Sequence, residues 1–291
     1  MKWEDCRALD LTGIALPAQA LPFQQQPANT IIYVSNDNAS YVPTQWDFVV
    51  SSSGDTHVLL NQAQITDGTP LYCDRPIEVQ AGQITYTRKA YTDGFWETLC
   101  LPFDCTLPEN FSAEKLDQFD EQGSKLFFTQ TGAVTANTPV IIRYTGEKDQ
   151  ETSTLLQVTN SDGTLLPTVN GNESANKNFI GTYTFKIFDS TQQRPAYLLN
   201  EDGDTFVRAA QGSTLSPFRA YITRNGVDKS LQVVHISPTA ILPVHQPEEE
   251  SASPCYRLDG TLQSPGIKKA GLQNLPPGIY IWKGHTFIQK R

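Results

Sequence analysis

Seven Asp-Gly or Asn-Gly pairs, beginning at positions 67, 93, 162, 170, 202, 225 and 259, cut the chain into short stretches. Asp and Asn tolerate positive φ and Gly adopts it freely, so each pair suits the tight reversal of a β-hairpin. Long helices have little room between such breaks, and the backbone groups of each stretch must find partners on neighbouring stretches.

The stretches carry the period of strands. In Gln83-Ile84-Thr85-Tyr86-Thr87-Arg88 the apolar Ile84 and Tyr86 alternate with threonines, and Val140, Ile142 and Tyr144 alternate in the same way. Tyr197-Leu198-Leu199, the polar run at 200–204 and Thr205-Phe206-Val207-Arg208 read as strand, turn and strand, and residues 218–223 and 231–236 repeat the pattern. Residues 111–122 hold apolar side chains at 111, 116 and 119, too few for a helical stripe, and a strand-like run follows at 125–129. The expected fold is all-β, a β-sandwich or jelly-roll-like core with a small β unit at the C-terminal end.

Length permits one large or two ordinary domains. Residues 63–236 are expected to form the core, with residues 1–62 as a leading segment. Between 237 and 254 the composition shifts to prolines at 238, 243, 247 and 254 around Glu248-Glu249-Glu250, which marks a linker. Residues 255–291 then read as a separate β unit, short for an independent core.

Several function classes are disfavoured. With 22 Lys and Arg against 31 Asp and Glu, the net charge of -9 repels a phosphate backbone, so no nucleic-acid partner is expected. No apolar run approaches the roughly 20 residues of a membrane-spanning helix. The start, Met1-Lys2-Trp3-Glu4-Asp5-Cys6, lacks the basic and apolar regions of a secretory signal, so an exported protein would carry that signal outside this chain. The five cysteines, Cys6, Cys73, Cys100, Cys105 and Cys255, form no CxxC pair, and a disulfide involving Cys73, Cys105 or Cys255 stays open.

Neither a GxSxG elbow nor an HExxH zinc motif occurs. His57, His235, His245 and His285 are scattered; His235 alternates with Leu231 and Val233 as a structural histidine would, and His245 lies in the linker. Asp117, Asp120 and Glu121 could serve glycoside hydrolysis only if folding set them across a cleft, and a solvated hairpin end accounts for them more simply. The Asn200-Glu201-Asp202-Gly203-Asp204 run lacks the spaced ligands of a calcium loop and reads as a turn. Cys100 and Cys105 have no local base or cation to activate them and read as core residues. No catalytic residue, metal or cofactor is expected.

One cluster suggests binding. Tyr91, Phe95 and Trp96 surround Asp93-Gly94, where rings on a loop can stack on sugar faces, and Arg88 can add polar contacts or simply solvate its strand. Trp96 opens an apolar run and is expected to pack inside.

Ordered segments along most of the chain resemble a family of secreted and cell-surface proteins of Bacteroidetes, many with leucine-rich repeats upstream. The segments are Ile84-Thr85-Tyr86-Thr87-Arg88, Trp96-Glu97-Thr98-Leu99-Cys100-Leu101-Pro102-Phe103-Asp104, Ala136-Asn137-Thr138-Pro139-Val140-Ile141-Ile142, Phe179-Ile180-Gly181-Thr182-Tyr183 and Pro217-Phe218-Arg219-Ala220-Tyr221. Cys6-Arg7-Ala8-Leu9-Asp10-Leu11-Thr12-Gly13-Ile14 resembles the end of a leucine-rich repeat. Tyr256-Arg257-Leu258-Asp259-Gly260, Gly278-Ile279-Tyr280-Ile281 and the basic Lys290-Arg291 look like the tail that sorts such proteins through type IX secretion. Trp282-Lys283-Gly284-His285-Thr286-Phe287 stands where many relatives have an Asn-Gly-Lys-Lys hairpin.

The resemblance implies an extracellular or outer-surface location and an export machinery that reads the tail, but no defined activity. The expectation is a non-enzymatic binding, adhesion or scaffold module facing a glycan or a surface protein. The alternatives are a divergent carbohydrate-active β-sandwich enzyme and a ligand-free spacer that serves as sorting cargo.

Overall fold

In the computed structural model the alternation at residue 84 becomes the strand Ile84–Tyr91, with Ile84, Tyr86, Arg88 and Ala90 buried and the residues between them facing outward. The structure describes residues 6–15, 26–43, 46–120, 124–147, 152–161, 163–168, 178–189, 194–224, 229–236, 253–257, 260–267, 275–282 and 285–289. Strand makes up 52% and helix 3%, so the fold is all-β as expected. Among the described residues no helix is long and apolar enough to cross a membrane.

The largest sheet has nine strands, in the order Phe179–Thr182, Arg219–Thr223, Ala196–Leu199, Thr205–Arg208, Leu231–Ile236, Lys125–Thr131, Phe111–Phe119, Val140–Tyr144 and Glu97–Leu99. It curls almost to closure as a barrel. At the seam the Ala220 N–H donates to Thr98 Oγ1 (3.0 Å) and the Cys100 N–H to the Phe218 carbonyl (3.1 Å).

Side chains from around the curl converge on one apolar cluster that includes Leu116, Leu126, Phe128, Ile141, Phe179, Tyr197, Phe206, Ile222 and Leu231. Phe179 meets Phe128 and Phe206 edge to face at 5.8 and 5.9 Å. Full burial of one such ring stabilises the fold by roughly 1.5–3 kcal/mol.

The other face of Val140–Tyr144 belongs to a second core. Val140 and Ile142 join Ile84 and Tyr86 of a three-stranded sheet (Ser153–Thr159, Ile84–Tyr91, Ala63–Thr66) and Ile31, Tyr33 and Val50 of a six-stranded one. The six-stranded sheet opens with Ala8–Leu11, Ile31–Ser35 and Val49–Ser53 in parallel, Ala8 against Ile31 and Ile32 against Val49. Thr56–Leu59, Ile77–Val79 and Gly163–Leu165 complete it. Residues on both sides of position 62 therefore share one core, and the chain divides into compact units only after Pro238.

The second unit, Thr239–Arg291, is a four-stranded antiparallel sheet in the order Leu262–Ile267, Ser253–Arg257, Gly278–Trp282 and His285–Gln289. Within it Tyr280 is buried and its hydroxyl donates to the Pro276 carbonyl (2.7 Å). Of the stretch read as a linker, residues 237–252 lie outside the described set, while Ser253 and Pro254 are already strand. Deleting residues 251–291 is expected to leave the first unit with a cooperative thermal melt, because among the described residues its cores contain none beyond Ile236. A broad or missing transition in the truncated chain would show that the two units fold as one.

Candidate functional site

The Ile84–Tyr91 strand runs into the Asp93-Gly94 reversal, where Gly94 has a φ of 80° and Asp93 Oδ1 accepts from the Phe95 N–H (2.8 Å). This local turn leaves two rings in solvent, Tyr91 at 61% exposure and Phe95 at 39%. Trp96 turns inward, 7% exposed, between the His235 ring (4.8 Å between centroids) and the Arg143 guanidinium (4.6 Å above the indole). The expectation that it packs inside holds.

Strand parity puts Arg88 on the buried side, at 3% exposure, so it does not solvate its strand. Its guanidinium pairs with Glu97 and donates to the Thr98 carbonyl (3.1 Å), while the buried Nε has no partner. Burial, reinforced by the nearby Arg219 charge, pulls its pKa down to about 10. Arg88 stays protonated at neutral pH.

A second ion pair lies beside it. Arg219 donates through both Nη atoms to Asp67 (2.7 and 2.8 Å), and the Tyr86 hydroxyl donates to the same carboxylate (2.6 Å). Burial alone would raise the Asp67 pKa. The hydrogen bonds from Arg219 and Tyr86 and the adjacent positive charges outweigh it and hold the carboxyl below its ordinary value.

The opposite wall comes from the Ala196–Leu199 and Thr205–Arg208 hairpin. Asn200 Oδ1 accepts from the N–H groups of Asp204 (3.2 Å) and Thr205 (3.1 Å), which fixes the turn. Gly203, with a φ of 72°, lies so close to Trp96 that a Cβ there would fall under 3.0 Å from the Trp96 backbone. Residues 214–216, partly from the short ribbon of Thr214–Leu215 and Lys186–Ile187, supply a third side.

Together these segments enclose a cleft of about 700 Å³, and Arg88, Tyr91, Phe95 and Trp96 all line it. Asp93, Glu97, Thr98, Asn200, Glu201, Asp202 and Arg219 line it as well. Sequence reasoning missed Glu97, Asp67 and Arg219 as parts of the site. Asp67 and Arg219 are 152 residues apart, and no local pattern announces such a pairing.

The other sequence candidates lie elsewhere. His235 Nδ1 meets Glu114 Oε2 at 2.6 Å, and His57 Nδ1 meets Ser52 Oγ at 2.9 Å, both structural contacts. Asp117 and Asp120 sit at the hairpin end after Phe111, while Glu121 and His245 are outside the described residues. All five cysteines are free, so within the first unit Cys73 and Cys105 are not joined to each other. Burial pushes the Cys73, Cys100 and Cys105 thiols up to about 12, which makes them poor nucleophiles. Among the described residues no group of His, Cys, Asp and Glu could hold a metal ion.

No protein-family model, curated protein or solved structure matches the chain.

Proposed function

We propose that this chain is a non-enzymatic binding module of an exported bacterial surface protein, and that it holds a saccharide in the cleft beside Asp93-Gly94. One observation carries the reading: two exposed rings, Tyr91 and Phe95, stand on the lining of a cleft with buried polar groups. Its volume falls within the roughly 300–1,000 Å³ usual for small-ligand sites. Aromatic faces favour the C–H faces of a sugar ring, and the Thr98 and Ser216 hydroxyls offer hydrogen-bonding groups to its hydroxyls.

Carboxylates on both walls give the enzyme alternative a specific footing. Against it, Glu97 is tied to Arg88, and Asp93 is engaged by the Phe95 N–H of its own turn. In line with the family resemblance, we take the second unit as the sorting signal. Surface delivery of a chain lacking residues 251–291 would reject that role.

Screening the purified chain against bacterial and host glycans tests the binding reading. Tyr91→Ala and Phe95→Ala are each expected to weaken the best ligand by roughly two- to ten-fold, the worth of one stacked ring. Their melting temperatures should stay near that of the parent, since both rings are exposed. Unchanged affinity in both variants sinks the site, and product release that depends on a cleft carboxylate sinks the non-enzymatic reading.

A further inference from the structure

We propose that the cleft selects its saccharide by charge, accepting neutral sugars, preferring those with a protonated amine and rejecting acidic ones. This rests on the saccharide reading above and adds the class of sugar. The cations of the cleft are already engaged: Asp67 clamps Arg219 through both oxygens, and Glu97 pairs with Arg88. An incoming carboxylate or sulfate would have to displace one of these internal partners.

The unmatched charges are negative and flank the rings. Asp93 lies beside Phe95, and Glu201 and Asp202 lie exposed on the opposite wall. No lysine lines the cleft among the described residues. A sugar stacked on Tyr91 or Phe95 would therefore carry its substituents into a negative field, within a chain whose net charge of -9 repels anionic polymers at longer range.

Arg88 lines the cleft with its guanidinium already held by Glu97 and the Thr98 carbonyl, on a side chain that is 3% exposed. A neutral hydroxyl leaves that pairing intact, whereas an anion would compete with Glu97 for it. The site thus combines stacking faces, internally paired cations and surplus carboxylates, which suits an uncharged or amino-bearing polyol.

Four β-1,4-linked hexamers of equal length separate the terms: glucose, N-acetylglucosamine, glucosamine and glucuronate oligomers, titrated calorimetrically against the full chain at low and high salt. The glucosamine hexamer is expected to bind up to about five-fold tighter than the glucose hexamer for each carboxylate engaged, with the gap closing as salt rises. The glucuronate hexamer should not bind. In the double variant Glu201→Gln with Asp202→Asn, the glucosamine and glucose hexamers should reach similar affinities.

Glucuronate binding that is lost in Tyr91→Ala overturns the charge rule and leaves the saccharide site standing. So does an amine preference that survives the double variant, or equal affinity for all four. If none of the hexamers binds, the saccharide reading falls and the charge rule falls with it.

Discussion

Asn in place of Asp67 is expected to lower the stability of the first unit by about 2–3 kcal/mol. Removing one partner of a fully buried ion pair costs about 3–5 kcal/mol, because the other charge is left without compensation. Here the side chains keep 18% and 22% exposure, so solvent offsets part of that cost. Tyr86 also loses its charged acceptor. At roughly 2–4 °C per kcal/mol for a unit of this size, the melting temperature should fall by about 4–12 °C at pH 7.

The same carboxylate sets a pH dependence. Its pKa in the folded protein lies below the ordinary 3.8, so the stability it contributes is complete above that value and is lost as pH falls through the folded pKa. Parent and variant should therefore differ by a constant amount near neutrality and converge in acid. Melts at pH 7 and pH 3 measure this. A gap that does not narrow in acid would assign the loss to packing rather than to charge.

Ala at Gly203 is expected to cost about 3 kcal/mol and to disturb the cleft. A non-glycine residue at a φ of 72° bears about 1–2 kcal/mol of backbone strain, and overpacking adds about 1–3 kcal/mol. The obstruction is the Trp96 backbone, which cannot rotate away as a flexible side chain can. Gly212 supplies the control, since it has a φ of 82° with nothing within 4 Å of a Cβ. Gly212→Ala should carry the strain alone. Equal losses in the two variants would mean that the approach of the hairpin to Trp96 adds nothing, whereas a larger loss at Gly203 should come with weaker saccharide binding.

Features with a short period were readable in the sequence. The alternation at residues 84–91 gave the strand and its inward face, and the 200–204 run is the turn its composition suggested. Residues 111–119 were harder. Phe127 faces Gln118 but Phe128 faces Leu116, so Asp117 is an extra residue that shifts the alternation partway along the strand. Leu116 and Phe119, three residues apart, accordingly pack against the same core, which no single period describes.

The parallel pairing of the first three strands and the clamp between Asp67 and Arg219 depend on register between distant segments. Of the site, the aromatic cluster could be found because its members are neighbours. The wall at 200–202 could not, because only folding carries it to Trp96.

The seam of the curled sheet has a consequence for how the protein is made. There the edge strand Glu97–Leu99 meets Arg219–Thr223, the strand next to the far edge, through Thr98 and Ala220, 122 residues apart, so the first leaves the ribosome long before its partner exists. At about 5–20 residues per second, that delay is roughly 6–24 s, during which the Glu97–Leu99 edge has unpaired backbone groups open to other chains. Folding of the sheet must wait for nearly the whole first unit, and such distant pairing is intrinsically slow. In a crowded cell the nascent chain is thus most exposed to aggregation before Arg219–Thr223 emerges, and a factor that shields the waiting edge would raise yield without touching the finished fold.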